Sequence, residues 1–386
     1  MKAGLAALGE VSEFIRGITF TPNDIEEVAS TNTVGVMRTK NVQEQLDLND
    51  VWKINRKFVK NKNQYLEEGD LLVSTANSWN LVGKASWVPL LNYESSFGGF
   101  VTVLRGNKKL VDRRYLYYWF VSDRIQELLR SFSNKTTNIS NLSLSRAKEL
   151  TIPLPPLAEQ QRIAALLDTA DRILKLRESA IAKLDQLAQS VFVDMFGDPF
   201  SKSTETIKLG EVAAINMGQS PAGSTYNSEG VGVYLLNGPT EFGEKFPTPL
   251  QWTSNPTKMC SEGDVLFCVR GATAGKLNIS DGSYCIGRGL AAISSRNLKL
   301  VNNEFLYTLL KQYYSYFQNT GVGSTFINIS KDDLTNLPIP KVSNDNLIKF
   351  KKFEIENSMQ KLSMKNQLSD LSKLVSSLQH QSFAVN

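Results

Sequence analysis

Six short motifs occur twice along this chain, in the same order. A chain written twice must fold as two related units. Gly9-Glu10-Val11 returns as Gly210-Glu211-Val212, and Glu68-Gly69-Asp70-Leu71-Leu72 as Glu262-Gly263-Asp264-Val265-Leu266. Gly83-Lys84 returns as Gly275-Lys276, and Tyr115-Leu116-Tyr117 as Phe305-Leu306-Tyr307. Asn138-Ile139-Ser140 returns as Asn328-Ile329-Ser330, and Ile152-Pro153-Leu154-Pro155 as Leu337-Pro338-Ile339-Pro340. The spacing between partners drifts from 201 down to 185, as loop insertions and deletions would make it.

Each copy opens with a mixed region. Short β-type runs at Leu71–Val73, Phe100–Leu104, Val265–Val269 and Leu290–Ile293 lie between Gly, Asn, Ser and Pro turns. One helix per copy is expected, over Tyr115–Arg130 and Glu304–Gln318, with Leu116, Phe120 and Leu128, or Phe305, Leu309 and Tyr313, facing a core. A long helix then closes each copy. Apolar residues at Ile163, Leu167, Ala170, Leu174, Ile181, Leu184, Ala188, Val191 and Met195 follow a 4-3 heptad rhythm, broken once by Arg177. Residues 159–194 as helix would span about 54 Å at ~1.5 Å per residue. Gly197-Asp198-Pro199 ends it. Near the C-terminus, Ile348, Ile355, Met359 and Leu362 make one stripe, and Leu368, Leu371, Val375 and Leu378 continue it after a shift of phase. A helix with a long apolar seam must bury it. The simplest partner is the other copy's helix, and an antiparallel pair would place the mixed regions at opposite ends. The expected fold class is α+β: two mixed α/β domains in tandem repeat, separated by two long helices packed as an antiparallel coiled coil.

Composition excludes more than it selects. At 386 residues, 41% hydrophobic and 21% charged, the chain is ordinarily globular, which rules out disordered and fibrous classes. No window approaches a membrane span, and Met1–Ala7 does not read as a secretory signal. Three cysteines, Cys260, Cys268 and Cys285, suit reduced thiols in a cytoplasmic protein and do not make a four-ligand zinc site. With His380 as the single histidine, His-based triads and most His-ligated metal centres are out. The net charge of +5 divides into +4 over residues 1–155, −1 over 156–197, −1 over 198–340 and +3 over 341–386. That pattern is compatible with nucleic-acid binding without demanding it, because phosphate contacts need only local clusters.

No stretch carries catalysis convincingly. Gly271–Leu277 resembles a phosphate loop but has one residue too few between its glycines and Leu277 where Ser or Thr should bind magnesium. The shared Gly-Lys pair reads better as a β-turn that projects a cation. Glu26-Glu27 and Asp332-Asp333 read as a solvated face and a helix start. What recurs is polar loop chemistry suited to base edges: Asn and Gln for adenine, Arg and Lys for guanine, Ser and Thr for either. The first copy offers Arg38, Lys40, Asn41, Ser74, Asn77, Ser78, Lys84, Lys135, Thr136 and Asn138 as DNA-binding candidates. The second offers Gln219, Ser220, Arg270, Thr273, Lys276, Arg288, Ser324, Thr325 and Asn328.

Ile152-Pro153-Leu154-Pro155-Pro156-Leu157-Ala158-Glu159-Gln160-Gln161-Arg162-Ile163 leads into the long helix, which closes on Met195-Phe196-Gly197-Asp198-Pro199. With these motifs, the chain resembles the specificity (S) subunit of type I restriction–modification systems over nearly its whole length. Gly218-Gln219-Ser220-Pro221, Ser224-Thr225-Tyr226-Asn227 and Cys285–Ala292 are similar to one class of target recognition domain. Arg38–Val42 and Ser74–Ser78 are similar to another. The resemblance implies target recognition domains over 1–155 and 198–340, a central helical spacer over 156–197 and a C-terminal spacer over 341–386. Each domain would read one half of a bipartite site in double-stranded DNA. The helices would set the gap and dock two methyltransferase (M) subunits, and two restriction/motor (R) subunits would complete the complex. This chain would then be non-catalytic and cytoplasmic, with no membrane contact and no cofactor of its own. S-adenosylmethionine and ATP with magnesium would belong to the partners. The second spacer departs from the pattern, reading Pro340–Leu347 without the Pro-Pro-Leu-Ala-Glu-Gln-Gln lead-in. Two other classes stay open on the residues: a stand-alone DNA-modifying enzyme, and a coiled-coil scaffold with two sugar- or protein-binding lobes.

Overall fold

The structure is a computed structural model that describes residues 4–135, 139–198, 200–297, 301–320 and 328–384. It divides into two compact units, Met1–Glu178 with Gln367–Asn386, and Ser179–Asn366. Each unit holds one mixed lobe and a segment of both long helices.

The two lobes share one strand order. In the first, a four-stranded sheet runs Ser12–Arg16, Val101–Gly106, Leu71–Ser74, Ala85–Trp87. In the second, the matching sheet runs Ala213–Met217, Leu290–Ser295, Val265–Cys268, Leu277–Ile279. A further sheet is built alike in both. Ile25–Glu26, Trp52–Asn55, Thr33–Met37 and Ser95–Phe97 correspond to Tyr226–Asn227, Gln251–Thr253, Val233–Leu236 and Tyr284–Ile286. Its last pair is parallel in both lobes, Val36 against Ser96 and Leu235 against Cys285. The second lobe adds Met259–Cys260 at the edge. A two-stranded ribbon closes each lobe, Gly4–Ala7 with Thr151–Leu154 and Thr206–Lys208 with Pro338–Pro340.

The repeated motifs prove to be local devices of this frame. Asp70 Oδ2 accepts the Glu67 amide at 2.8 Å, and Asp264 Oδ2 accepts the Ser261 amide at 2.8 Å. Gly69 and Gly263 supply the left-handed turn between them, at φ +91° and +84°. Glu10 and Glu211 cap one-turn helices by accepting the amides of Ala7 and Lys208. The Gly-Lys pairs close a hairpin: Gly83 N donates to Ser74 O and Gly275 N to Cys268 O, both at 2.8 Å.

The expected helix Tyr115–Arg130 is two helices, Arg113–Phe120 and Asp123–Ser131. Ser122 turns the chain between them, its hydroxyl donating to Trp119 O at 2.7 Å. The second lobe breaks likewise at Tyr313, between Asn303–Gln312 and Tyr314–Thr320. Their aromatics are core, as expected: Tyr115, Phe120 and Phe305 are buried.

The central helix runs Leu157–Phe196 and stops where Gly197, at φ +84°, donates its amide to Val193 O at 2.8 Å. The C-terminal helix runs Asn344–Ser382. In the second unit the two are antiparallel: Asn346 bonds to Met195 O and, three turns on, Asn357 to Leu184 O. Lys361 grips both carboxylate oxygens of Asp185 at 2.8 Å. Phe192, Phe196, Phe305 and Phe350 seat this end of the pair on the lobe, with ring centroids 5.0–6.3 Å apart. In the first unit, Ile163, Leu167, Leu378 and Phe383 join the core of that lobe.

One expectation about the C-terminal helix is overturned. Ile348, Ile355, Met359 and Leu362 do not form its inward stripe; they are 69%, 49%, 67% and 61% exposed. Phe350, Glu354, Asn357 and Lys361 turn inward instead, because the phenylalanine cluster sets the rotation of the helix. No change of phase is needed: this row runs on at 3-4 spacing into half-buried Leu368, Leu371, Val375 and Leu378.

Candidate nucleic-acid interface

Loops from both sheets meet at one end of each lobe, and backbone hydrogen bonds hold them there. In the first lobe Gly98 N donates to Met37 O at 2.9 Å, bringing the 98–100 turn beside the start of the Arg38–Asn41 loop. Phe100 O accepts the amides of Thr75 and Ala76 at 3.1 and 3.3 Å, adding the Ser74–Ser78 loop. In the second lobe Gly287 N donates to Leu236 O at 2.8 Å, and Gly289 O accepts the Val269 amide at 2.9 Å. Ser220 Oγ accepts the Arg288 amide at 3.1 Å, and Arg270 bridges to Asn328.

The candidate side chains divide by what they already hold. In the first lobe several are committed. Asn41 is buried; its amide donates to Asp47 O and Asp50 O and its carbonyl accepts the Arg38 amide, so it organises its loop and offers no free edge. Ser74 is also sealed from solvent, bonded to Asn77. Arg38 stacks 3.6 Å above the Trp52 ring and pairs with Asp50 at 2.9 Å, while Lys40 meets the same carboxylate at 2.7 Å. Both cations hold the Asp50 carboxyl below its ordinary range, Lys40 foremost. Lys84 donates to Gln43 at 2.8 Å, and Ser78 is exposed.

The second lobe is freer. Gln219, Arg270, Lys276, Arg288 and Asn328 are exposed, and none of its three arginine or lysine candidates makes an ion pair among the described residues. Thr273 is half-buried against the Cys268 thiol, 3.5 Å away. Lys135 ends the strand Ser133–Lys135. Thr136, Asn138, Ser324 and Thr325 lie outside the described residues. The sequence candidates did not include Phe100, which is exposed at this tip; the equivalent strands Val101–Gly106 and Leu290–Ser295 set Gly98-Gly99-Phe100 against Gly287-Arg288-Gly289.

Cations are also spent on fastening loops to helices. Lys175 of the central helix lies 3.9 Å from Glu44 of the first lobe. Lys365 of the C-terminal helix pairs with Glu244 of the second.

A lobe used twice, with polar loops gathered at one end and its core built onto paired helices, defines a tandem recognition protein. The sequence matches the family profile described as type I restriction modification DNA specificity domain, over residues 5–186 and again over 201–368. The chain belongs to that family, whose task is recognition of a DNA target. It is 33% identical over 291 residues to the putative type I restriction enzyme MjaX specificity subunit of Methanocaldococcus jannaschii, covering 70% of this chain and 67% of that one. It is 28% identical over 186 residues to the EcoKI specificity subunit of Escherichia coli strain K12, covering 48% of this chain and 39% of that one. Among solved structures it is similar to a chain from a study of complex assembly and conformational transition of the type I restriction–modification system. The TM-score there is 0.66 at 25% identity, covering 99% of this chain and 97% of that one. The S subunit from M. genitalium shares the fold, with a TM-score of 0.53 at 16% identity, covering 100% and 99%.

Proposed function

We propose that this chain is the non-catalytic specificity subunit of a type I restriction–modification complex. Each lobe reads one half of a bipartite site in double-stranded DNA, and the helices set the unread gap. The observation that carries this reading is the doubled lobe: one strand order and one gathering of loops, with different side chains at the tips. Two readers of one design reading two different half-sites need that combination. Methyltransferase subunits dock on the helices, where the exposed row Ile348, Ile355, Met359 and Leu362 offers an apolar face. Two such subunits and two restriction/motor subunits complete the assembly. They carry S-adenosylmethionine and ATP with magnesium, and this chain carries neither. No described helix is long and apolar enough to cross a membrane, and a cytoplasmic location suits the DNA substrate.

The test is geometric. The chain is co-expressed with its methyltransferase partner and the methylated adenines in cellular DNA are mapped. Adding or removing one helical turn within 163–194 should change the gap while both half-sites keep their sequence. Exchanging residues 208–340 for those of a relative should change one half-site only. A swap that altered both halves would defeat the reading.

A further inference from the structure

The turn at the tip of each lobe is held by the same four constraints. Its first glycine donates to the neighbouring strand, Gly98 to Met37 O at 2.9 Å and Gly287 to Leu236 O at 2.8 Å. A 3.0 Å bond closes it, Val101 N to Gly98 O and Leu290 N to Gly287 O. Its third carbonyl is pinned by the adjacent loop, Phe100 O by Thr75 and Ala76 and Gly289 O by Val269. Its floor is a glycine with no room for a side chain: a Cβ on Gly17 would lie 2.2 Å from Gly98 O, and one on Gly218 2.2 Å from Gly287 O. The backbones are therefore equivalent and rigid, and what differs is the pair of residues they present. The first lobe presents Gly99-Phe100, the second Arg288-Gly289.

Phe100 is 67% exposed among polar loops. Arg288 is exposed and makes no ion pair among the described residues. A single exposed aromatic or cation is ordinary. Here they stand at adjacent places on the same pinned turn, Phe100 third and Arg288 second, beside loops that carry hydrogen-bonding groups. Holding a side chain on a rigid backbone lowers the entropy lost when it docks. A guanidinium so placed suits the O6/N7 edge of guanine, and an apolar ring suits the 5-methyl group of thymine.

Resting on the reading proposed above, we infer that this turn is a specificity-determining element of each lobe. Arg288 discriminates for a guanine in one half-site, and Phe100 discriminates for a thymine methyl group in the other. The chemical difference between the two half-sites is thus written on one structurally equivalent turn, at its third residue in the first lobe and its second in the other.

The experiment uses the full chain assembled with its methyltransferase partner and duplexes carrying the mapped bipartite site. Phe100→Ala, Arg288→Ala and Arg288→Lys are compared with the parent. Both positions are exposed, so the variants should fold, and thermal unfolding checks that they do. In the parent, replacing one thymine of the first lobe's half-site by uracil should weaken binding about 3- to 10-fold, as loss of a buried methyl group does. Phe100→Ala should weaken binding to the intact site by a similar factor and should no longer sense the replacement. Arg288→Ala should lower preference for one guanine in the other half-site by about 10-fold or more, and Arg288→Lys should restore part of it. A uniform loss on all duplexes would overturn the inference by marking phosphate contacts. So would a first half-site without thymine, a second without guanine, or insensitivity of the parent to uracil. A kinked duplex that tolerates uracil would make Phe100 a wedge between base steps instead. Each of these leaves bipartite recognition standing. A parent assembly that protects no bipartite site would remove the underlying reading itself.

Discussion

Tyr118 donates its hydroxyl proton to Asp168 Oδ1 at 2.7 Å, tying the first lobe to the central helix. Arg114 donates to the same oxygen at 2.6 Å while its guanidinium lies over the rings of Trp87, Tyr117 and Tyr118. Burial, with the hydrogen bond to Asp168, pushes the Tyr118 phenol well above its usual range, so it stays a donor at any physiological pH. Tyr118→Phe should cost about 1 kcal/mol. Asp168→Ala, which takes the acceptor from the phenol and leaves the guanidinium only the Tyr118 oxygen at 3.2 Å, should cost roughly 2–3 kcal/mol. Denaturant unfolding of the full chain measures both, and equal losses would show that Arg114 adds nothing to the tie.

The second lobe makes the corresponding tie without a cation. Thr308 donates to Glu354 of the C-terminal helix, and Glu304 stands where the first lobe has Arg114. Burial foremost, and Glu304 after it, push the Glu354 carboxyl up to about 7, against the opposing pull of Thr308 and Lys245. A raised carboxyl binds its proton more tightly folded than unfolded. Its favourable contribution is full below the unfolded value of 4.5 and is lost as pH rises to about 7. The loss amounts to roughly 3 kcal/mol. Thermal unfolding should therefore show a midpoint that falls between about pH 5 and pH 8 in the parent. Glu354→Gln should flatten that slope and raise the midpoint at the alkaline end. A variant that kept the slope would place the titration elsewhere.

Gly17 and Gly218 sit under the two tip turns, where a Cβ would meet a backbone carbonyl at 2.2 Å. Backbone cannot step aside as a side chain end can. Gly17→Ala and Gly218→Ala should each cost about 1–3 kcal/mol or more and displace the turn above. Gly223→Ala, with nothing within 4 Å of the new atom, should stay within about 0.5 kcal/mol of the parent. Unfolding midpoints for the three variants decide it. A neutral Gly17→Ala would mean that the first turn has room to move.

Asp70 and Arg105 form a buried pair in the first lobe, with Nε to Oδ1 at 2.8 Å and Nη2 to Oδ2 at 2.6 Å. Asp70→Ala should cost roughly 2–4 kcal/mol, because it removes the buried carboxylate and leaves the guanidinium only Glu67 Oε1 at 3.0 Å and the Tyr65 carbonyl at 2.8 Å. Asp264 repeats the turn cap, but the strand Leu290–Ser295 beside it carries no arginine. Burial alone raises the Asp264 carboxyl. Asp264→Ala should therefore cost less, about 1–2 kcal/mol. Stability curves that ranked the two variants the other way would contradict the role given to Arg105.

The motifs that announced the repeat are legible because their chemistry is local. Asp70 and Asp264 reach an amide three residues back, Glu10 and Glu211 do the same, and Gly69, Gly83, Gly263 and Gly275 meet a left-handed turn wherever it falls. Such contacts leave a mark at fixed spacing. The second sheet of each lobe left none. Its strands pair across long intervals through backbone groups, which any β-forming residues supply.

The sequence by itself determined that this protein is a doubled unit with two long helices, because turn caps, glycine turns and heptad spacing are encoded within a few residues of one another. Only the tertiary structure decided which groups face outward. Packing of Phe350 among Phe192, Phe196 and Phe305 rotated the C-terminal helix and left Ile348, Ile355, Met359 and Leu362 in solvent. Hydrogen bonds to Asp47 and Asp50 buried Asn41, and the pinned turn over Gly17 lifted Phe100 into view. Exposure is set by what packs on the far side of a residue, and that neighbour comes from a distant part of the chain.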